Sequence, residues 1–433
     1  MKRQVVITGL GAITALGEGA ETFWQAALEG RSGIDFLDHP GLSGSWKVPA
    51  AVIRDFSPEK YVTQQKALKV MARDIQLAVA GASLALDDSG IREFSYDRER
   101  FGLIAGSGVL NHELDELAAS IQSSLDENGK LDMKKFGDSG LSALFPLWLL
   151  KYLPNMSACH ISIFFDLQGL NNTITTGASA GLQAVGEAFR IIQRNDADLM
   201  LAGGAESKVN PVGISHYKIL GALSESASKD AKQDYRPLDE RTRGFVIGEG
   251  AGFLLIEELE HAKKRGAKIY GEIVGYGSSS ANGRRIAMEA ALSDAGVRAS
   301  ELRYLQAAGL GLSEEDGREQ QAIYEVFNGA GKNLSVSASK ALTGFTGFSS
   351  GALDLILTAV ALKRQTIPPT LNFSNSKKDW GFQVVKDKAI RKLIPYAMTN
   401  ASGFNGQAAS VVTKVYEEKN KIDYTDSKND YTD

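Results

Sequence analysis

The 433-residue chain has one cysteine, five histidines, ten prolines and no excess of basic residues, Lys plus Arg numbering 48 against 52 Asp plus Glu. A single cysteine forms no internal disulfide and no thiolate-rich metal site. The histidines, His39, His112, His160, His216 and His261, lie more than four residues apart, and residues 262–433 contain none. No local pattern of metal ligands therefore exists. A net charge of −4 does not favour nucleic acid or an anionic membrane as partner. No run approaches the ~20 apolar residues that span a bilayer. The opening MKRQVVITGLGAIT reaches glycine after four apolar residues, too short for a signal peptide. A cytoplasmic chain of two or three packed units is expected.

Short β-branched runs are plentiful: RQVVITG, RFGLIAGSG, NTITT, LMLAGGAE, GFLLIEE, YGEIVGYG, LSVSAS and SVVTKVY. Amphipathic stretches such as AETFWQAALEG, ALKVMARDIQLAVAGASLAL, LQAVGEAFRIIQR and RRIAMEAALSDAG alternate with them. This alternation predicts α/β layers with largely parallel sheets. The polar, turn-rich segment 227–252 precedes a strong strand, so the chain divides into residues 1–258 and 259–416. Residues 417–433 carry six acidic and three basic residues with Ile422 as the sole aliphatic, a composition suited to a solvated tail.

Three motifs carry competing readings. Gly9-Leu10-Gly11-Ala12 follows a strand but lacks the third glycine and the later acidic residue of a dinucleotide site, which leaves a structural glycine turn. Cys159 beside His160 is no dyad, because adjacent side chains diverge, and Cys159 reads as a small buried residue. Gly177-Ala178-Ser179-Ala180-Gly181 matches G-x-S-x-G between a strand and a helix. A serine hydrolase would use Ser179 with His216 or His261, but neither histidine follows a plausible acid on a late strand end.

Taken together, RQVVITGLGAITALG, PNMSACHISI, AVGEAFRIIQRNDADLMLAGGAES, RPLDERTRGFVIGEGAGFLLIEELEHAKKRGAKIYGEIVGYG, SASKALTG and NASGFNG resemble a β-ketoacyl-acyl-carrier-protein synthase of the thiolase-fold condensing enzymes. The resemblance runs from Arg3 to about Tyr416. It implies two similar βαβαβαββ halves in a five-layer α-β-α-β-α arrangement, and no cofactor. It also implies Claisen condensation by a cysteine with two histidines and an oxyanion hole. In this chain the cysteine position falls on Ala178. The first histidine position falls on Ala308, eight residues before the retained Asp316, with Glu319 three further on. The second falls on Phe345, five residues after the retained Lys340. All three catalytic side chains are absent.

Two further departures agree. The loop after VGYGSSSANG is short, and Asn405 follows the retained gate residue Phe404 where a glycine is usual. The resemblance then implies a noncatalytic ketosynthase β subunit, or chain-length factor, of a type II polyketide synthase. Its partner would be an active ketosynthase α subunit, and an acyl carrier protein would dock with help from Arg241, Arg243 or Lys340. On the segment VLNHELDELAAS, helical spacing makes Asn111, Leu114, Asp115 and Ala118 the cavity-facing set. The same face could instead only pack on the partner. A homodimeric acyl-binding pseudoenzyme is the other reading on this scaffold.

Overall fold

Alternating strands and helices place β-branched residues in extended runs and leave the amphipathic stretches to cover them. A computed structural model describes residues 2–37, 48–109, 112–224, 229–280 and 283–417. Its main sheet runs Gln383–Val384, Ser335–Ser337, Leu302–Gln306, Tyr396–Ser402, Ala408–Lys414, Gly271–Ser279, Val5–Thr14, Ile247–Glu258, Leu199–Ser207, Phe101–Gly106 and Asn171–Ile174. Counted along the chain, the five strands from Val5–Thr14 to Ile247–Glu258 lie in the order third, second, fourth, fifth, first. The five main strands from Gly271–Ser279 to Ala408–Lys414 repeat that order. The halves join where Val5–Ile7 pairs antiparallel with Gly271–Ile273.

The sheet is mixed, which corrects the expectation of largely parallel pairing. Phe101–Gly106 pairs parallel with both of its neighbours, but Ile247–Glu258 is antiparallel to Leu199–Ser207 and to Val5–Thr14. In each half the fourth and fifth strands are antiparallel neighbours, joined in the second half by the short stretch 403–407 and in the first by a longer segment that carries the helix Pro211–Ile219.

Three apolar layers hold the fold together. Helices Ala180–Gln193 and Ser350–Arg364 form the middle layer, with Leu182, Val185, Phe189, Leu353 and Ile356 buried between the two halves. Outside, Arg73–Ser89 and Met156–Phe165 cover the first half. Arg284–Ala295 and Ser313–Val326 cover the second. This is the five-layer thiolase-like arrangement of two similar halves. Gly9 and Gly11 form no turn. They lie inside Val5–Thr14, where any Cβ would collide with the Arg73–Ser89 backbone at Ala85 and Gly81, so their role is close helix-on-strand packing.

Candidate catalytic socket and its aromatic plug

Ala178 sits in the turn Gly177–Ser179 that opens the buried helix Ala180–Gln193, and Gly177 makes the bend with φ +71°. Ala178 is 7% exposed. Ser179 is wholly buried, and its hydroxyl donates to the Thr176 carbonyl at 3.1 Å. The NASGFNG segment closes from the other side, since a side chain on Gly403 would reach the Ala178 nitrogen at 3.6 Å. The left-handed residue there is Gly406, with φ +81°, so Asn405 escapes the strain expected of it.

Ala308 follows the strand Leu302–Gln306 and is 1% exposed. Glu319 clamps it: Oε1 accepts the Ala308 N–H at 2.8 Å and Oε2 the Gly309 N–H at 2.9 Å. Asp316 accepts from Leu238 N at 2.7 Å and Gly311 N at 3.0 Å. The two acids thus hold this loop by its backbone N–H groups. Phe345 is fixed by its own backbone, donating to Val246 O at 2.7 Å and accepting from Gly248 N at 2.9 Å.

The structure brings Ala178 and Phe345 into one apolar cluster with Tyr217, Phe245 and Leu310, and Phe404 packs against it. Ring centroids of Phe345 lie 4.7 Å from Phe245 and 5.3 Å from Phe404, while Phe245 stacks on Phe404 at 5.5 Å. Tyr217 meets Phe245 edge-on at 5.0 Å. Offset and edge-to-face rings at these separations attract beyond their buried area. Around Ala178, four aromatic rings, Tyr217, Phe245, Phe345 and Phe404, form a plug. The polar atom at its border is the Tyr217 hydroxyl, which donates to Glu206 Oε1 at 3.5 Å. Burial, with the Glu206 charge next, raises that phenol far above its ordinary range, so it stays neutral and is no nucleophile.

The beta-ketoacyl synthase N-terminal domain profile matches residues 2–262 and the C-terminal domain profile residues 266–374. The chain belongs to the β-ketoacyl synthase family. It is 35% identical to the 3-oxoacyl-[acyl-carrier-protein] synthase 2 of Vibrio cholerae serotype O1, over 95% of this chain and 99% of that relative. Among solved structures it resembles the ishigamide ketosynthase/chain length factor, at 28% identity and a TM-score of 0.82, covering 96% of this chain and 100% of the other. With the same score and coverage, at 25% identity, it resembles a chain in the structure of a type II polyketide synthase acyl-carrier protein in complex with its ketosynthase bound to the hexaketide.

Other residues of the chain fall unevenly against expectation. Lys340 is no carrier contact. It is 3% exposed, and its Nζ lies 2.8 Å from Asp354 Oδ2, a buried ion pair. Arg241 and Arg243 are both exposed, and Arg241 bonds Asp239 through Nε at 2.7 Å and Ser374 through a terminal nitrogen at 2.7 Å. Cys159 is half-buried, not buried, because the Met156–Phe165 helix turns Ala158 and His160 inward instead. Neither candidate base partners Ser179: His216 is exposed on the Pro211–Ile219 helix, and His261 pairs with Glu257 at the far end of Ile247–Glu258. Asn111 lies outside the described residues. The helix starts at Leu114, and Leu114, Asp115 and Ala118 are all exposed. Among the described residues, no helix is long and apolar enough to cross a membrane.

Reading the sequence alone missed Tyr217, Phe245 and Glu206. Phe245 and Glu206 lie inside quoted matching segments, but only the fold shows that Phe245 shares a cluster with Ala178.

Asp239 supplies a test of how the Arg241 segment is held. Burial raises its carboxyl, but the Arg241 guanidinium and backbone N–H groups of Ser374, Arg241 and Asn375 outweigh it and hold the carboxyl at about 2. Because the folded value lies below the ordinary 3.8, this contribution is full above pH 3.8 and is lost as pH falls towards 2. Asp239→Asn should lower the thermal midpoint at pH 7 and flatten its fall in acid. An unchanged acid limb would show that Asp239 does not carry it.

Proposed function

We propose that the chain is the chain-length factor of a type II polyketide synthase, pairing with an active ketosynthase subunit and walling part of a shared cavity. The observation that carries this reading is the plugged socket. Ala178 has no nucleophilic atom, and Ala308 and Phe345 have no side-chain donor for an enolate.

The surface supports a partner. Val109, Leu114, Leu149, Ile163 and Leu170 are between 47% and 78% exposed. The neighbouring strand Asn171–Ile174 pairs with Phe101–Gly106 and leaves its other edge free among the described residues. Open edges and exposed apolar side chains are costly unless covered. The occupant we assign is a ketosynthase of the same fold, as in the ishigamide ketosynthase/chain length factor pair. An acyl carrier protein is the second partner, as in the related complex, with Arg243 on the docking rim. Rim charges act mainly on association rate and salt dependence.

Coexpression with an active ketosynthase and its carrier protein tests this. A heterodimer should copurify and assemble a carrier-bound polyketide, whereas this chain alone should turn over no malonyl thioester. In that pair Ala118→Phe should shorten the product, since overfilling packed apolar space costs about 1–3 kcal/mol. A stable homodimer that ignores the ketosynthase would point to the acyl-binding pseudoenzyme.

A further inference from the structure

Two residues beyond Phe345 the chain enters a tight turn, Gly347–Ser349, before the helix Ser350–Arg364. Gly347 has φ +48°, and any side chain there would collide with the Glu206 carboxylate. Only glycine meets both constraints. The turn delivers Phe348 into a slot built from glycines. A Cβ on Gly108 would overlap the Phe348 ring, and a Cβ on Gly181 or Gly204 would overlap the Phe348 carbonyl oxygen. Glu206 Oε2 accepts the Phe348 N–H at 3.0 Å, and the Lys208 ammonium lies 4.6 Å from the ring centroid. The ring is clamped between glycine backbone and a cation, 6% exposed.

Its position gives that clamp a meaning. Gly108 adjoins Val109, which is 78% exposed at the apolar face assigned to the ketosynthase. In the other direction Lys208 lies 5.7 Å from the Tyr217 ring centroid and 3.4 Å from Glu206, the residue that accepts the Tyr217 hydroxyl. Phe348 therefore stands between the partner-facing surface and the aromatic plug. With Gly108, Gly181 and Gly204 around it, Phe348 supplies the side-chain volume of the slot.

We propose that Phe348 is the floor of this subunit's share of the acyl cavity and sets how far the growing poly-β-keto chain extends into it. The inference rests on the chain-length-factor reading. Removing the ring opens glycine-lined space beneath Gly108 and uncovers Lys208, whose ammonium donates to keto oxygens of the longer chain.

The test uses the reconstituted ketosynthase pair with carrier protein and malonyl-carrier, reading heterodimer size and the masses of carrier-bound products. Phe348→Ala should lengthen the longest product by at least one two-carbon unit, and Phe348→Leu should give a smaller share of the same longer product, with the heterodimer intact. Unchanged product lengths from intact, active variant pairs would overturn the proposal. If Phe348→Ala fails to assemble, Phe348→Leu decides by the same readout. A wild-type chain that forms no pair with the ketosynthase overturns the chain-length-factor reading itself, a result distinct from unchanged lengths.

Discussion

Asp354→Ala is expected to destabilise the chain by about 3–5 kcal/mol, the range for breaking one side of a buried ion pair. Asp354, 1% exposed on the middle-layer helix Ser350–Arg364, accepts from Lys340 Nζ at 2.8 Å, from Gln306 Nε2 at 2.9 Å and from the Ser339 hydroxyl. Gln306 in turn accepts from the Tyr304 hydroxyl at 2.6 Å and the Ser337 hydroxyl at 3.0 Å. Removing the carboxylate leaves an ammonium and two neutral donors without their acceptor in a dry core, and each orphaned donor adds its own desolvation cost. The double variant Lys340→Met, Asp354→Leu removes the charge with its partner and should recover most of the loss. Urea unfolding midpoints of the single and double variants measure this. A single-variant loss below about 1 kcal/mol would show that the pair is not desolvated.

The second large effect concerns rate. In the reconstituted pair, replacing the partner's nucleophile should lower turnover on the order of 10⁴–10⁶-fold, the scale of removing an essential covalent catalyst. Ala178→Gly in this chain should leave turnover within about twofold, because a methyl group makes no interaction that exists only in the transition state. Single-turnover measurement of carrier-bound product separates the two. A comparable loss from Ala178→Gly would mean that this socket does take part in chemistry. Adding back a thiol alone, as Ala178→Cys, should yield no condensation. Position 308 carries Ala308, which has no imidazole, and the Phe345 ring is locked between Phe245 and Phe404.

The intervals between the family motifs can be read along the linear chain because they are local. Lys340 to Phe345, and Ala308 to Asp316 and Glu319, are short intervals along one stretch of backbone. The edge of the first half was legible too, since NTITT is β-branched, RFGLIAGSG is apolar, and a glycine follows or closes each. Two inner strands of the second half, LRYLQ and YAMTNAS, escaped notice: their mixed polar and apolar residues are buried by neighbours remote in sequence, with Thr399 bonded to Thr358 at 2.8 Å in the core. The helix Ser350–Arg364 was missed for a related reason. It is buried on every side except Lys363 and Arg364, so no amphipathic stripe marks it.

What the residues determined by themselves is chemical: the absence of a thiol at 178 and of imidazoles at 308 and 345, which no arrangement of the backbone can supply. What only the tertiary structure decided is spatial. Packing from distant segments put Phe245, Phe345, Phe404 and Tyr217 into one plug, buried Lys340 against Asp354, and turned Gly9 and Gly11 from a presumed bend into a seat for a helix. Those outcomes depend on contacts between residues far apart along the chain, and pattern within a short window carries no information about them.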